Sequence, residues 1–286
     1  MSEGVGADIP DTPTTLWRMT PGKGAPTITI PGGFNGPDGS GNGGYSAGLL
    51  AERLTRVGGT AVQVTLRTPP PLDRPLTVEP DGEDALCLTT EAAEGGDDPD
   101  TAKEPGDTIL VAEAVRVAPF DRGVIPGGPV SVAEAENASK LYPGFVDHPF
   151  PRCYSCGPER EEGDGLRLFA GQVLPGDGPA NVGNTVACPW PVDPAVDDGT
   201  GAAAFAQVWA ALDCPGGWSH DVTGRPILLG RFTAQVLSAP KVGETTVVMG
   251  RLMSVDGRKI RTGSALYDAD GGLLAQARAT WIALRT

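Results

Sequence analysis

The sequence predicts an α+β protein made of two similar units in tandem, each a curved antiparallel sheet wrapped around one central helix. Three observations predict it. The same order of parts (short strand, glycine-rich loop, apolar helix, run of strands) occurs twice along 286 residues. One helical segment carries no charge at all, so it belongs in an interior. Hairpin signals then divide the C-terminal stretch into neighbouring strands.

In chain order, 27–30 reads as a short strand and 31–44 as a glycine-rich loop. A short helix follows at 45–54, with Ala47, Leu50, Ala51 and Leu54 on one face. Alternation predicts a strand at 61–66, stopped by Pro69, Pro70 and Pro71. Segments 76–78, 85–89 and 108–117 continue the sheet. The acidic stretch 91–107 between them is expected to be a mobile loop, because it lacks the apolar residues needed to pack.

Residues 121–183 differ, being rich in glycine, proline and charge. A short helix is expected at 132–140. The segment is too long for a simple linker, so it should pack on both units. The second unit begins with a strand at 185–188 and a turn-rich stretch at 189–201. In the helix at 202–212, Phe205, Val208, Trp209 and Leu212 fall at helical spacing. Cys214-Pro215-Gly216-Gly217 should stop it. Strands at 227–237, 245–253, 260–267 and 273–284 follow, with hairpins at Asp256-Gly257 and Asp270-Gly271. The domain boundaries read as 1–120, 121–183 and 184–286.

The formal charge is −14, which repels nucleic acid and anionic membranes. No apolar run approaches the roughly 20 residues needed to span a bilayer. Residues 1–11 show no basic region followed by an apolar stretch, so a cytoplasmic location is expected. Five scattered cysteines suggest reduced thiols rather than a disulfide framework.

Asn42-Gly43-Gly44-Tyr45 followed by Ala47-Gly48-Leu49-Leu50 resembles the helix entry of acyl-CoA thioesterases of the hotdog fold. Leu212-Asp213 resembles the position of the catalytic aspartate in their double-hotdog members. The likeness covers roughly 25–118 and 185–286. It implies two tandem hotdog domains forming a pseudo-dimer, with a site in the groove between the two helices. It also implies an acyl-CoA or acyl-carrier thioester as ligand and a hydrolase of lipid metabolism that needs no cofactor. A homodimer of the pseudo-dimer remains open.

Thioester hydrolysis needs a polarised carbonyl and an oriented or deprotonated water. Glycine-rich helix entries supply free N–H groups, so Gly43, Gly44 and Tyr45 in one half and Gly199 and Gly201 in the other are candidate substrate-binding residues. Making tight turns is the alternative role for these glycines. Asp213 is the candidate catalytic carboxylate, against a turn-capping role, and Asn42 could orient water or the acyl carbonyl. Asp197 and Asp198 are better read as complementing the positive end of the second helix. Glu52 reads as solvent-facing.

Cys153 and Cys156 have zinc-knuckle spacing, and His148 could add a ligand. A fourth ligand, from Cys188, Cys214 or His220, would have to come from afar. The favoured reading is therefore a rigid connector with packed thiols and no metal. The other function classes are a non-catalytic acyl-CoA or acyl-carrier binding protein and a hotdog dehydratase or hydratase. The latter ranks lower because His148 lies in the connector, not at the head of a helix.

Overall fold

The computed structural model describes residues 25–92, 106–121, 123–174 and 184–285. Most of the acidic stretch 91–107 lies outside these residues. The elements are β1 (Thr27–Thr29), α1 (Gly43–Ala51), β2 (Ala61–Leu66), β3 (Pro75–Pro80), β4 (Ala85–Glu91), β5 (Thr108–Val117), α2 (Val132–Ser139) and β6 (Gly171–Gln172). Then come β7 (Thr185–Pro191), α3 (Phe205–Trp218), β8 (Ile227–Val236), β9 (Thr245–Asp256), β10 (Lys259–Tyr267) and β11 (Leu273–Ala283).

All strands join one sheet in the order β1-β3-β4-β5-β2-β8-β11-β10-β9-β7-β6. The first five, read from the outer edge inward, run β1-β3-β4-β5-β2. The other half, read the same way from β7, runs β7-β9-β10-β11-β8, which is the same order of parts. The two meet where β2 pairs antiparallel with β8, Val62 opposite Ala234 and Val64 opposite Phe232. These four side chains are buried, so the seam is sealed by apolar contact as well as backbone bonds.

Alternation along the strands makes two faces. Val248 of β9 joins the main core with α1 and α3, whereas Val247 and Met249 turn to a second cluster with Ala135 and Ala138 of α2. The helix at 132–140 thus forms as Val132–Ser139, held by a capping box between Ser131 and Glu134. Its segment covers the outer face of the sheet. The rest of the connector reaches both halves. Tyr154 donates its N–H to the Asn35 carbonyl, and its hydroxyl to Gln207 of α3 at 2.7 Å.

Both central helices differ from the sequence reading at both ends, running Gly43–Ala51 and Phe205–Trp218 instead of 45–54 and 202–212. The first helix starts at Gly43, two residues early, because Asn42 accepts the Tyr45 N–H and caps it. The second spans Phe205–Trp218 and runs straight through Pro215 instead of stopping before it. Proline removes one intrahelical bond, and hydroxyls from outside serve neighbouring carbonyls. Ser155 Oγ donates to the Ala210 carbonyl at 2.9 Å, and Ser264 Oγ to that of Leu212 at 2.5 Å. Likewise β7 continues past Cys188 through Pro189 and Pro191. These prolines sit two apart, so both missing N–H groups face away from β9, on an edge where no ladder bond is lost.

Helices α1 and α3 cross closely. A Cβ on Gly48 would come within 2.8 Å of Ala206 Cα and Trp209 Cβ. One on Gly44 would lie 2.5 Å from Asp213 Cβ and 2.7 Å from the Trp209 carbonyl oxygen. Gly44 and Gly48 are one helical turn apart, so they form a flat strip on which α3 rests.

Candidate active site

That crossing brings Asp213 to the positive end of α1. Asp213 Oδ2 accepts the Gly44 N–H at 2.9 Å. Oδ1 is buried and has no hydrogen-bond partner. The helix boundary matters here. Asp213 is not at a helix C-terminus, where a carboxylate is disfavoured; it lies within α3 and faces the N-terminus of another helix, where a negative charge is favoured. The residue is 2% exposed. Burial pushes its carboxyl up to about 7, against the Gly44 N–H, while the Cys153 sulfur adds to the rise and the Asn42 amide opposes it.

Asp213 borders a pocket of about 480 Å³ at the seam between the two halves. Its walls come from the loop before α1 (Gly36 to Gly43), the end of β2 with Leu66 and Arg67, Phe150 and Cys153 of the connector, and Asp213 and Cys214 of α3. The start of β8, with Ile227 and Leu229, and the end of β11, with Trp281, close it. The pocket is apolar along the strand side and polar where Asn42, Asp213 and the two cysteines meet. Arg67 lines it as well, paired with Glu113.

Gly43 is the first residue of α1, so its N–H is one the helix cannot satisfy itself. It lies on the pocket wall, and a Cβ there would come within 2.9 Å of Leu229. Asn42 is 1% exposed. Its carbonyl oxygen caps α1 at 2.8 Å, and its amide points at Cys153 Sγ, 3.7 Å away.

Three sulfurs cluster beside the carboxylate. Those of Cys153, Cys156 and Cys214 all lie within 4.8 Å of one another, with Cys153 and Cys214 at 3.7 Å. The neighbouring thiols hydrogen-bond to Cys153 and hold it well below the usual thiol range; those bonds and burial push Cys156 and Cys214 above it. His148 Nε2 stands 3.4 Å from Cys156 Sγ, while its Nδ1 accepts the Phe150 N–H at 2.9 Å. Burial lowers its basicity.

The structure therefore gathers Asp213, Asn42, Gly43 and Gly44 in one place. Tyr45 does not line the pocket; its ring stacks on Phe34 at 4.0 Å. Gly199 and Gly201 also lie elsewhere, in an exposed turn with positive φ of 89° and 87°. There both N–H groups bond to Asp197 Oδ1, so the turn role accounts for them. Asp198 is held by Thr200 in the same turn. Neither aspartate caps α3, whose N-cap, Ala204, offers no side-chain acceptor. Glu52 is part-exposed and paired with Arg56 at 2.7 Å. Cys214 joins the Cys153–Cys156 pair, a partner the spacing alone could not supply. His148 is absent from the pocket wall. Among the described residues, no helix is long and apolar enough to cross a membrane.

No family model matches the chain, and no curated protein matches it. Solved structures do. A protein of Novosphingobium aromaticivorans that carries a provisional thioesterase name aligns at a TM-score of 0.51 with 15% identity, over 91% of this chain and 95% of that one. A protein of Thermobifida fusca YX, provisionally a thioesterase II, aligns at 0.50 with 15% identity, over 91% and 92%. A protein of unknown function with a hot dog fold from Alicyclobacillus acidocaldarius aligns at 0.48 with 14% identity, over 87% and 89%. The likeness is one of fold alone: this chain has a hot dog fold.

Proposed function

We propose that the chain is a thioester hydrolase acting on an acyl-CoA or acyl-carrier substrate, with one site in the seam pocket. In this reading 1–120 and 184–286 are two hotdog domains fused as a pseudo-dimer, bridged by 121–183. The repeated strand order and the β2–β8 pairing support it.

One observation carries the function. A buried carboxylate borders the pocket with one oxygen held by a helix N-terminal N–H and the other without a partner. That free oxygen is what a water needs as acceptor. Asp213 takes a proton from the water, whose oxygen attacks the thioester carbonyl carbon. The charge developing on the carbonyl oxygen is met by the Gly43 N–H at the positive end of α1. The carbon–sulfur bond then breaks, and the departing thiolate recovers the proton from Asp213, leaving a free acid and a free thiol. The apolar wall of Leu66, Ile227, Leu229 and Trp281 suits an acyl chain or the slim arm of a carrier.

The two thioesterase-named structures of the same fold support the choice of a thioester. A dehydratase has less support, because its histidine–acid pair has no counterpart on this pocket wall. The test is Asp213→Asn, assayed by release of free coenzyme A from a panel of acyl-CoAs. Turnover should fall on the order of 10²- to 10⁴-fold, the span of a lost general base. Unchanged turnover would remove Asp213 from the mechanism. Binding of acyl-CoA with no thiol release by the wild type would make the protein a binder.

A further inference from the structure

We infer that Cys153, Cys156 and Cys214 form a three-thiolate site for a soft divalent metal, zinc foremost, with its fourth position turned to the seam pocket. This goes beyond the hydrolytic reading and does not depend on it. An ion there would pin the connector to α3 whatever the pocket binds.

The sulfur geometry is the first argument. Tetrahedral zinc at about 2.3 Å from each thiolate sets neighbouring sulfurs about 3.8 Å apart. The Cys153–Cys214 separation is 3.7 Å, and all three sulfurs lie within 4.8 Å of one another. Packed thiols need no such convergence from two remote chain segments.

The donors around the sulfurs are the second argument. The Asn42 amide approaches Cys153 Sγ at 3.7 Å, and His148 Nε2 approaches Cys156 Sγ at 3.4 Å. Because His148 Nδ1 accepts a backbone N–H, its proton sits on Nε2 and points to sulfur. His148 thus acts as an N–H donor to a thiolate, the outer-shell role that supports a metal ligand, rather than as a ligand itself. Two of the three sulfurs are therefore provided with N–H donors, as anionic sulfur requires.

The third argument is position. Cys153 and Cys214 line the pocket, while Cys156 is turned to His148. The open coordination position falls on the pocket side, next to Asp213. Water, or an oxygen or sulfur of the pocket's ligand, is the class of group that would complete it.

The full-length chain, purified under reducing conditions, should carry stoichiometric zinc by elemental analysis. After stripping, Co²⁺ should restore one ion per chain and give the sulfur-to-cobalt charge-transfer and intense visible bands of a tetrahedral thiolate site. Cys153→Ser, Cys156→Ser and Cys214→Ser should each abolish those bands, whereas Cys87→Ser, on β4, should leave them unchanged. Should those serine variants fail to fold, native mass spectrometry of the wild type before and after chelation reads the same ion. Stripped, reduced wild-type protein that takes up neither Zn²⁺ nor Co²⁺ stoichiometrically would overturn the inference. So would a Cys153–Cys156 or Cys153–Cys214 disulfide in metal-free protein from an unoxidised preparation.

Discussion

The two central helices begin in very different ways. Before α1, Asn42 is buried and caps the helix, Gly43 lines the pocket, and Gly44 holds the α3 carboxylate. Before α3, the glycines sit in an exposed, left-handed turn closed by Asp197 and Asp198, and Ala204 begins the helix without a side-chain cap. In sequence both are glycine-rich entries at matching places in a repeated plan. In space only one borders the pocket. A helix N-terminus becomes chemically useful when its free N–H groups meet a group they can act on, and here α3 supplies that group to α1.

The largest test of this asymmetry sets Asp213→Asn against Asp197→Asn. The first should remove hydrolysis on the order of 10²- to 10⁴-fold. It should also raise the melting temperature, because an amide is easier to bury than a carboxylate with an unpartnered oxygen. The second loosens an exposed turn and should leave turnover near wild type. Equal losses in the two variants would erase the distinction between the entries.

Gly44→Ala is the next step down. Its new Cβ would meet Asp213 Cβ at 2.5 Å and the Trp209 carbonyl at 2.7 Å, and neither is the far end of a flexible side chain. Overpacking of this kind costs about 1–3 kcal/mol, and it would push α3 off the N–H that holds Asp213. Chemical denaturation should show the loss in midpoint, and turnover should fall with it. A variant as stable and as active as wild type would mean that the helices do not cross this closely.

These contrasts also show which parts were legible in the sequence. The uncharged face of α3 announced its burial, and alternation with hairpin signals announced β8 to β11. Asp213 was found through its resemblance to a known pattern, though its setting was misplaced. The proline rule ends the helix one residue before it, at Leu212, hiding the fact that Asp213, Cys214 and Pro215 continue the same helix. The pocket was not legible, because the β2–β8 seam joins segments about 170 residues apart with no local signal. The same holds for the sulfur cluster. A Cys-x-x-Cys spacing is visible at 153–156, but its partner arrives 58 positions after Cys156 on another element. The entries themselves could have been told apart. Gly43 and Gly44 directly follow a capping asparagine, whereas Gly199 and Gly201 are separated from α3 by three alanines and follow two turn-forming aspartates.

Asn42 separates stability from chemistry at the same entry. Asn42→Ala removes the cap and should cost about 1 kcal/mol. Asn42→Ser keeps an oxygen for the Tyr45 N–H but loses the amide directed at Cys153. If the amide only supports the fold, serine should restore both stability and turnover. If it tunes the polar end of the pocket, serine should restore the melting temperature while turnover stays low, and we expect the latter.

The smallest effect on turnover is expected at Gly199→Ala. Its φ of 89° is one that side-chain-bearing residues avoid, while the space around it is open. The cost is therefore conformational alone, about 1–2 kcal/mol at most, with no steric collision. Turnover should be unaffected, because neither the turn nor its aspartates border the pocket. A drop in kcat with little change in melting temperature would mean that the α3 entry contributes to catalysis after all, and that a second, symmetry-related site operates across the seam.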